Sequence, residues 1–405
     1  MELEIGTQML LLAFGLAIVL GAVTNHTNFC TMGAVSDWVN IGDTGRFRAW
    51  LLAIAVTMGG VLVLEFLEVI NFDDARIPYR HPNFAWPRYI LGGLMFGVGM
   101  TLASGCGSKN LVRLGQGNLK SLLVLIIMGL FAYLMTRTDF YGIVFASWMA
   151  PLALDLAARG IDSQEMPRII ATTLGGDAVD KSLPMIRLVM GGLIVFVLLA
   201  VTLGSRMFRE SFDHMLAGIV IGMLVLGGWY ATGGPLGIEW VEWAEFADDP
   251  PAFYGLQSFT FVNPAADALA LAREGGNPLF ITFGLAAFIG MIVGSFAYAI
   301  VTHGFRIEWF ASLADFFRHL FGAALMGVGG VLGLGCTVGQ GITGLSTLAM
   351  GSLVTLVFIV LGSALTMKVQ YYKMLYEDAS VVAAFTTALV DLRLLPSSMR
   401  KLEAL

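Results

Sequence analysis

Charge is scarce in this chain. Only 13% of its 405 residues are Asp, Glu, Lys or Arg, against about 25% in soluble domains. That shortage excludes an ordinary water-facing surface. Cysteine is scarcer still. There are three, far apart and without a C-x-x-C pair, which argues against a disulfide framework. The histidines are His26, His81, His214, His303 and His319. None has metal-ligand spacing with another, so no metal site is expected. His214 and His319 open apolar stretches and read as interfacial residues, not haem ligands. The sequence lacks a P-loop, a G-x-S-x-G and carboxylates paired for acid–base work, so neither nucleotide hydrolysis nor catalytic residues are expected. It also lacks a basic stripe for nucleic acid. Glu2 and Glu4 precede the first apolar stretch, where a signal peptide would carry positive charge. That stretch reads as a retained helix.

What the chain has is hydrophobic length: 57% of its residues are apolar. Runs of roughly 18 or more such residues read as membrane-spanning helices. Candidates lie near 6–24, 49–70, 88–104, 121–136, 185–203, 214–231, 279–302, 318–334 and 348–366. A weaker one, 140–158, is broken by Pro151. The expectation is an all-α polytopic membrane protein with about nine or ten spanning helices.

One segment is written twice. Residues 91–106 (LGGLMFGVGMTLASGC) and 321–336 (FGAALMGVGGVLGLGC) share seven identities in sixteen positions at an offset of 230. Both end in Gly-Cys. Phe14-Gly15-Leu16-Ala17 and Phe283-Gly284-Leu285-Ala286 read as the openings of the same two halves. The division expected is 1–136 for the first repeat, 137–278 for intervening helices and polar loops, 279–366 for the second repeat, and 367–405 for a C-terminal segment. One added crossing in the first half makes the repeats inverted, and that arrangement is expected, with parity open. Short basic turns at Arg206/Arg209, Arg306 and Lys368/Lys373 are assigned to the cytoplasm by the positive-inside rule. The acidic segment 235–278, with Glu239, Glu242, Glu245, Asp248, Asp249, Asp267 and Glu274 against Arg273, then falls outside.

After each Gly-Cys comes a stretch too polar and glycine-rich for a lipid-facing helix: GSKNLVRLGQGN at 107–118 and TVGQGITGLST at 337–347. Irregular backbone at membrane depth is tolerated where protein buries it or where it lines a cavity. Both stretches read as re-entrant half-helices, and the one around Cys30 as a third. Half-helix N-termini offer free N–H groups to an anion. Glycines that only allow close helix packing would account for Gly97 and Gly327, but not for the polar residues after Cys106 and Cys336. A free thiol titrates near ~8.5, so these cysteines act as neutral, weak S–H donors. Soft sulfur suits a sulfur-bearing anion or Cu(I). The candidate path residues are Cys30, Cys106, Cys336, Gly105, Gly335, Thr337 and Gln340. Lys109 and Arg113 would draw an anion inward or snorkel to the headgroups.

These motifs resemble the YeeE/YedE family of bacterial inner-membrane sulfur transporters. The matching stretches are NFCTMGAVSDW (28–38), GGLMFGVGMTLASGCGSKNLVRLGQG (92–117), FGLAAFIGMIVGSFAYAIVTHGFRI (283–307) and GAALMGVGGVLGLGCTVGQGITGLS (322–346). The resemblance implies an hourglass of nine spanning helices plus half-helices, set in the bilayer of the inner membrane. It implies thiosulfate uptake, with Cys30, Cys106 and Cys336 hydrogen-bonding the ion in turn. It also implies a small TusA-like sulfur carrier as cytoplasmic partner, and no cofactor. Lys109, where the family more often has a small or hydroxyl residue, and the long acidic segment depart from the pattern. Two rivals remain: a membrane thiol oxidoreductase, which would want a close dithiol, and a Cu(I) or other soft-metal channel, which would want clustered Met or His at its mouths.

Overall fold

The computed structural model describes residues 4–73, 77–175, 179–247 and 250–403; Asp248 and Asp249 of the acidic segment lie outside them. The fold is all-α. The helices that build the core are α1 (Ile5–His26), α2 (Thr31–Ser36), α3 (Gly45–Phe66), α4 (Trp86–Leu102), α5 (Gly107–Gly115), α6 (Leu119–Arg137), α7 (Val179–Leu203), α8 (Phe212–Gly233), α9 (Phe283–Val301), α10 (Leu313–Leu332) and α11 (Met350–Leu375). Among the described residues eight helices are long and apolar enough to cross a membrane. Helix α10 is a further long helix, with Asp315 and Arg318 near its start. The apolar face of α7 is turned outward: Val189, Leu193 and Phe196 are all exposed, as a lipid-facing helix requires. The stretch 140–158 departs from the expectation. It breaks into turns of π-, α- and 3₁₀-helix, where Pro151 removes a donor and stops any longer helix.

Glycine decides how the central helices meet. A Cβ on Gly99 would lie 2.6 Å from the carbonyl oxygen of Gly322, and one on Gly329 would lie 2.8 Å from that of Gly92. Residue number rises along α4 as it falls along α10, so the two Gly-Cys helices cross antiparallel. Gly92 and Gly99 are the repeat mates of Gly322 and Gly329. The crossing therefore maps onto itself when the helices are exchanged. A two-fold axis that exchanges antiparallel helices is perpendicular to them, which is the inverted-repeat arrangement. Gly97 and Gly327 serve other contacts: Gly97 meets Ile359 and Ser363 on α11, and Gly327 meets Met128 and Ala132 on α6.

The Phe-Gly-Leu-Ala helices do not follow this axis. Asn25 of α1 donates to Ser295 of α9, and His26 contacts Tyr298 at 2.6 Å. Helices α1 and α9 thus run parallel and are not exchanged by the two-fold of α4 and α10. At the far end of the molecule, buried charges tie the loops down. Arg80 pairs with Glu65 at 2.6 Å, and Arg187 pairs with Asp73 at 2.7 Å and with Glu165 at 2.8 Å. Burial pushes the Glu165 carboxyl above its ordinary range against the pull of Arg80 and Arg187. Arg80 also donates to the carbonyl of Thr347, 3.1 Å away, which anchors the end of the segment that follows Cys336.

Candidate functional site

All three cysteines occupy one local design. A long helix ends, the residue two before the cysteine turns left-handed, and the cysteine starts the next short helix. The left-handed residues are Asn28 (φ 51°), Ser104 (φ 57°) and Leu334 (φ 61°). At two of the sites the turn closes with the six-to-one hydrogen bond of a Schellman motif: Gly105 N–H donates to Met100 at 2.8 Å and Gly335 N–H donates to Gly330 at 2.7 Å. Gly335 itself sits at φ 155°, a conformation that side-chain-bearing residues rarely adopt. A Cβ on Gly105 would press on Lys109 at 3.3 Å.

The cysteines are helix N-caps. Cys30 is the extended residue before α2, and Cys106 holds the same place before α5. The N–H of Gly33 donates to Cys30 Sγ at 3.4 Å, and that of Gly339 donates to Cys336 Sγ at 3.4 Å. Cys106 Sγ instead lies 3.2 Å from the Ser108 hydroxyl. Asn110 braces this turn by donating to the carbonyls of Gly105 and Cys106. A sulfur that accepts from the backbone keeps its own S–H free to donate. All three thiols are free and buried. Cys106 lies within electrostatic range of both Cys30 and Cys336. Among the described residues no group of three or more His, Cys, Asp or Glu side chains is placed to hold a metal ion.

On one side Cys30 meets a cavity of about 1000 Å³. Cys30, Lys109 and Arg113 line it together with Arg46, Lys120, Arg306 and Arg318; its carboxylates are Glu308 and Asp315. Lys109 is 7% exposed and donates to Asn28 Oδ1 at 3.3 Å. It faces the cavity beside Cys30 and is not turned outward. Arg113 donates to the Ser104 carbonyl, so it too is turned toward the Cys106 turn. On the other side a cavity of about 460 Å³ is lined by Tyr79, Arg88, Arg137, Thr260 and Leu334, the last being two residues before Cys336. The larger cavity thus carries mostly positive charge, and buried thiols lie beyond it.

Thr337 and Gln340 are buried beside Cys336, and Thr337 Oγ1 and Gln340 Oε1 have no protein partner. Sequence reasoning missed Arg46, Lys120, Arg306 and Arg318, because single basic residues at helix ends read as interfacial. It also missed Thr31, whose buried hydroxyl is likewise without a partner. The signal was there: Cys30-Thr31-Met32-Gly33 and Cys336-Thr337-Val338-Gly339 share the pattern C-T-x-G. His214 and His319 line the large cavity.

Comparison with known proteins places the chain in a family. A family model described as sulphur transport matches residues 26–365. The chain is similar to a protein of Escherichia coli named thiosulfate transporter TsuA, with 24% identity over 354 residues, covering 85% of this chain and 90% of that one. A protein of Spirochaeta thermophila with the same name is 26% identical over 350 residues, covering 85% of this chain and 94% of that one. With a match that takes in all three cysteine turns and both Gly-Cys helices, the chain belongs to the sulphur-transport family of multi-pass membrane proteins.

Proposed function

We propose that the protein takes up thiosulfate, or a closely related sulfur-containing anion, along a path of neutral thiols at Cys30, Cys106 and Cys336. The observation that carries this reading is the threefold use of one turn. Each time, a cysteine caps a short helix whose N–H groups and dipole favour an anion. Neutral S–H donors hold an anion without trapping it, which conduction requires. The relatives' names supply the substrate class. Gly105 and Gly335 shape the turns, Thr337 and Gln340 lie beside the ion, and Lys109 and Arg113 draw it along.

The membrane is the bacterial inner membrane in this reading. The large basic cavity opens to the cytoplasm, because Arg306 and Lys120 belong to that side by the positive-inside rule. A TusA-like carrier, if it is the partner, would receive the anion there. A thiol oxidoreductase is less favoured because no two of the three thiols are joined, and a Cu(I) channel because among the described residues no group of three or more His, Cys, Asp or Glu side chains is placed to hold a metal ion. The test is growth of a sulfur-auxotrophic host, lacking its own uptake system, on thiosulfate as sole sulfur source. The protein should restore growth, and radiolabelled thiosulfate should accumulate in proteoliposomes that contain it. Failure in both assays rejects the reading.

A further inference from the structure

Trp50 lies on α3, only 4% exposed, and its indole Nε1–H has no protein partner. An indole N–H donates and cannot accept. A buried donor left unpaired is costly, so native structures nearly always satisfy one or use it. Two contacts fix where this ring sits. It stacks on Phe29, the residue before Cys30, with centroids 4.7 Å apart and planes 18° apart. Its Cζ3 edge approaches the segment that follows Cys336: a Cβ on Gly341 would lie 3.3 Å from it. Trp50 therefore bridges two of the three cysteine turns. The unpartnered hydroxyls nearest in sequence to those cysteines, on Thr31 and Thr337, flank the same two turns.

We propose that Trp50 is a substrate-binding residue, whose indole N–H, on the ring edge away from Gly341, donates to the oxyanion end of the permeating sulfur anion beside the Cys30 turn. The proposal rests on the transport reading above and adds a specific group to it. The division of labour follows from chemistry. Thiols are soft and suit the terminal sulfur of the anion, whereas an N–H is a hard donor and suits its oxygens. The stack on Phe29 holds the ring still, so little ordering is needed when the anion arrives.

The test is uptake of radiolabelled thiosulfate by purified protein in proteoliposomes. Trp50→Phe keeps an aromatic ring on Phe29 and deletes the N–H. A charge-assisted hydrogen bond lost from the bound state should raise the apparent KM roughly tenfold, with the thermal midpoint in detergent unchanged. A merely structural role would lower that midpoint instead. Should Trp50→Phe reduce the folded yield, benzothienylalanine at position 50 replaces N–H by sulfur at nearly constant shape, and the same rise in KM is expected. A wild-type KM in either folded variant overturns the proposal. Absence of thiosulfate uptake by the wild type would instead reject the transport reading, so the two failures are distinct.

Discussion

At the scale of the residue, the cysteines and Lys109 carry the clearest consequences. Serine at position 106 preserves a small donor and the contact with Ser108, 3.2 Å away, but loses the soft sulfur. Losing about 1–2 kcal/mol of stabilisation during transit slows uptake roughly five- to thirtyfold. Cys106→Ser should therefore show that loss in proteoliposomes while its yield of folded protein is unchanged; normal uptake would remove Cys106 from the path. Lys109 is a charge effect. Its ammonium is within electrostatic range of Cys30 and Cys106 and reaches Asn28. Lys109→Ala should raise the apparent KM for thiosulfate several-fold, and Lys109→Arg should restore much of it. An unchanged KM for the alanine variant would leave Lys109 a structural role only. The cysteines, their glycines and Lys109 were legible in the sequence because each glycine, and Lys109, lies within a few residues of a cysteine. The remaining cations were not. Arg46 and Arg306 are 260 positions apart, and only the fold brings them to one cavity.

At the scale of the element, the repeat was legible where identity ran in register and misleading where it was short. The Gly-Cys helices share seven positions over sixteen, and the antiparallel crossing of α4 and α10 reproduces that match in space. Phe-Gly-Leu-Ala is four small or apolar residues, common in any membrane helix, and its two copies run parallel. Helix α8 explains the pattern better. Thr57 of α3 donates to Gly222 of α8, and a Cβ on Gly218 would press on Leu52, so α3 and α8 also run parallel. Exchanging α1 with α8 and α9 with α3 maps one parallel pair onto the other. We therefore propose that the second half begins near residue 212, not 279, and pairs 1–136 with 212–366. The packing makes a direct prediction. A Cβ on Gly327 would lie 2.5 Å from the Met128 carbonyl oxygen, and Gly97 is as tightly set against Ile359. Forcing a larger side chain into such a crossing costs about 1–3 kcal/mol or more. Gly97→Leu and Gly327→Leu should each lower the thermal midpoint and the folded yield in detergent. A leucine variant as stable as the wild type would mean that these crossings are looser than they stand.

At the scale of the whole molecule, two cavities meet the cysteine turns from opposite sides, and they are unlike. The larger brings Arg46, Lys109, Arg113, Lys120, Arg306 and Arg318 around Cys30 against the carboxylates of Glu308 and Asp315. The smaller approaches Cys336, whose side chain is fully buried. That asymmetry gives the proposed path a direction that chemistry can read. Cations concentrate a small anionic reagent in the basic cavity, an effect that salt screens over ~8–10 Å. An anionic methanethiosulfonate should therefore modify Cys30 ahead of Cys336. It should do so from the cytoplasmic face if the positive-inside assignment holds. In inverted membrane vesicles, peptide mapping should find Cys30 modified first, with thiosulfate slowing the reaction and moderate salt slowing it further. In right-side-out vesicles Cys30 should stay free. Modification of Cys30 from the outer face alone would reverse the orientation while leaving the path intact. Indifference of the rate to thiosulfate would be more serious, because an ion that passes Cys30 must compete with a reagent that reacts there.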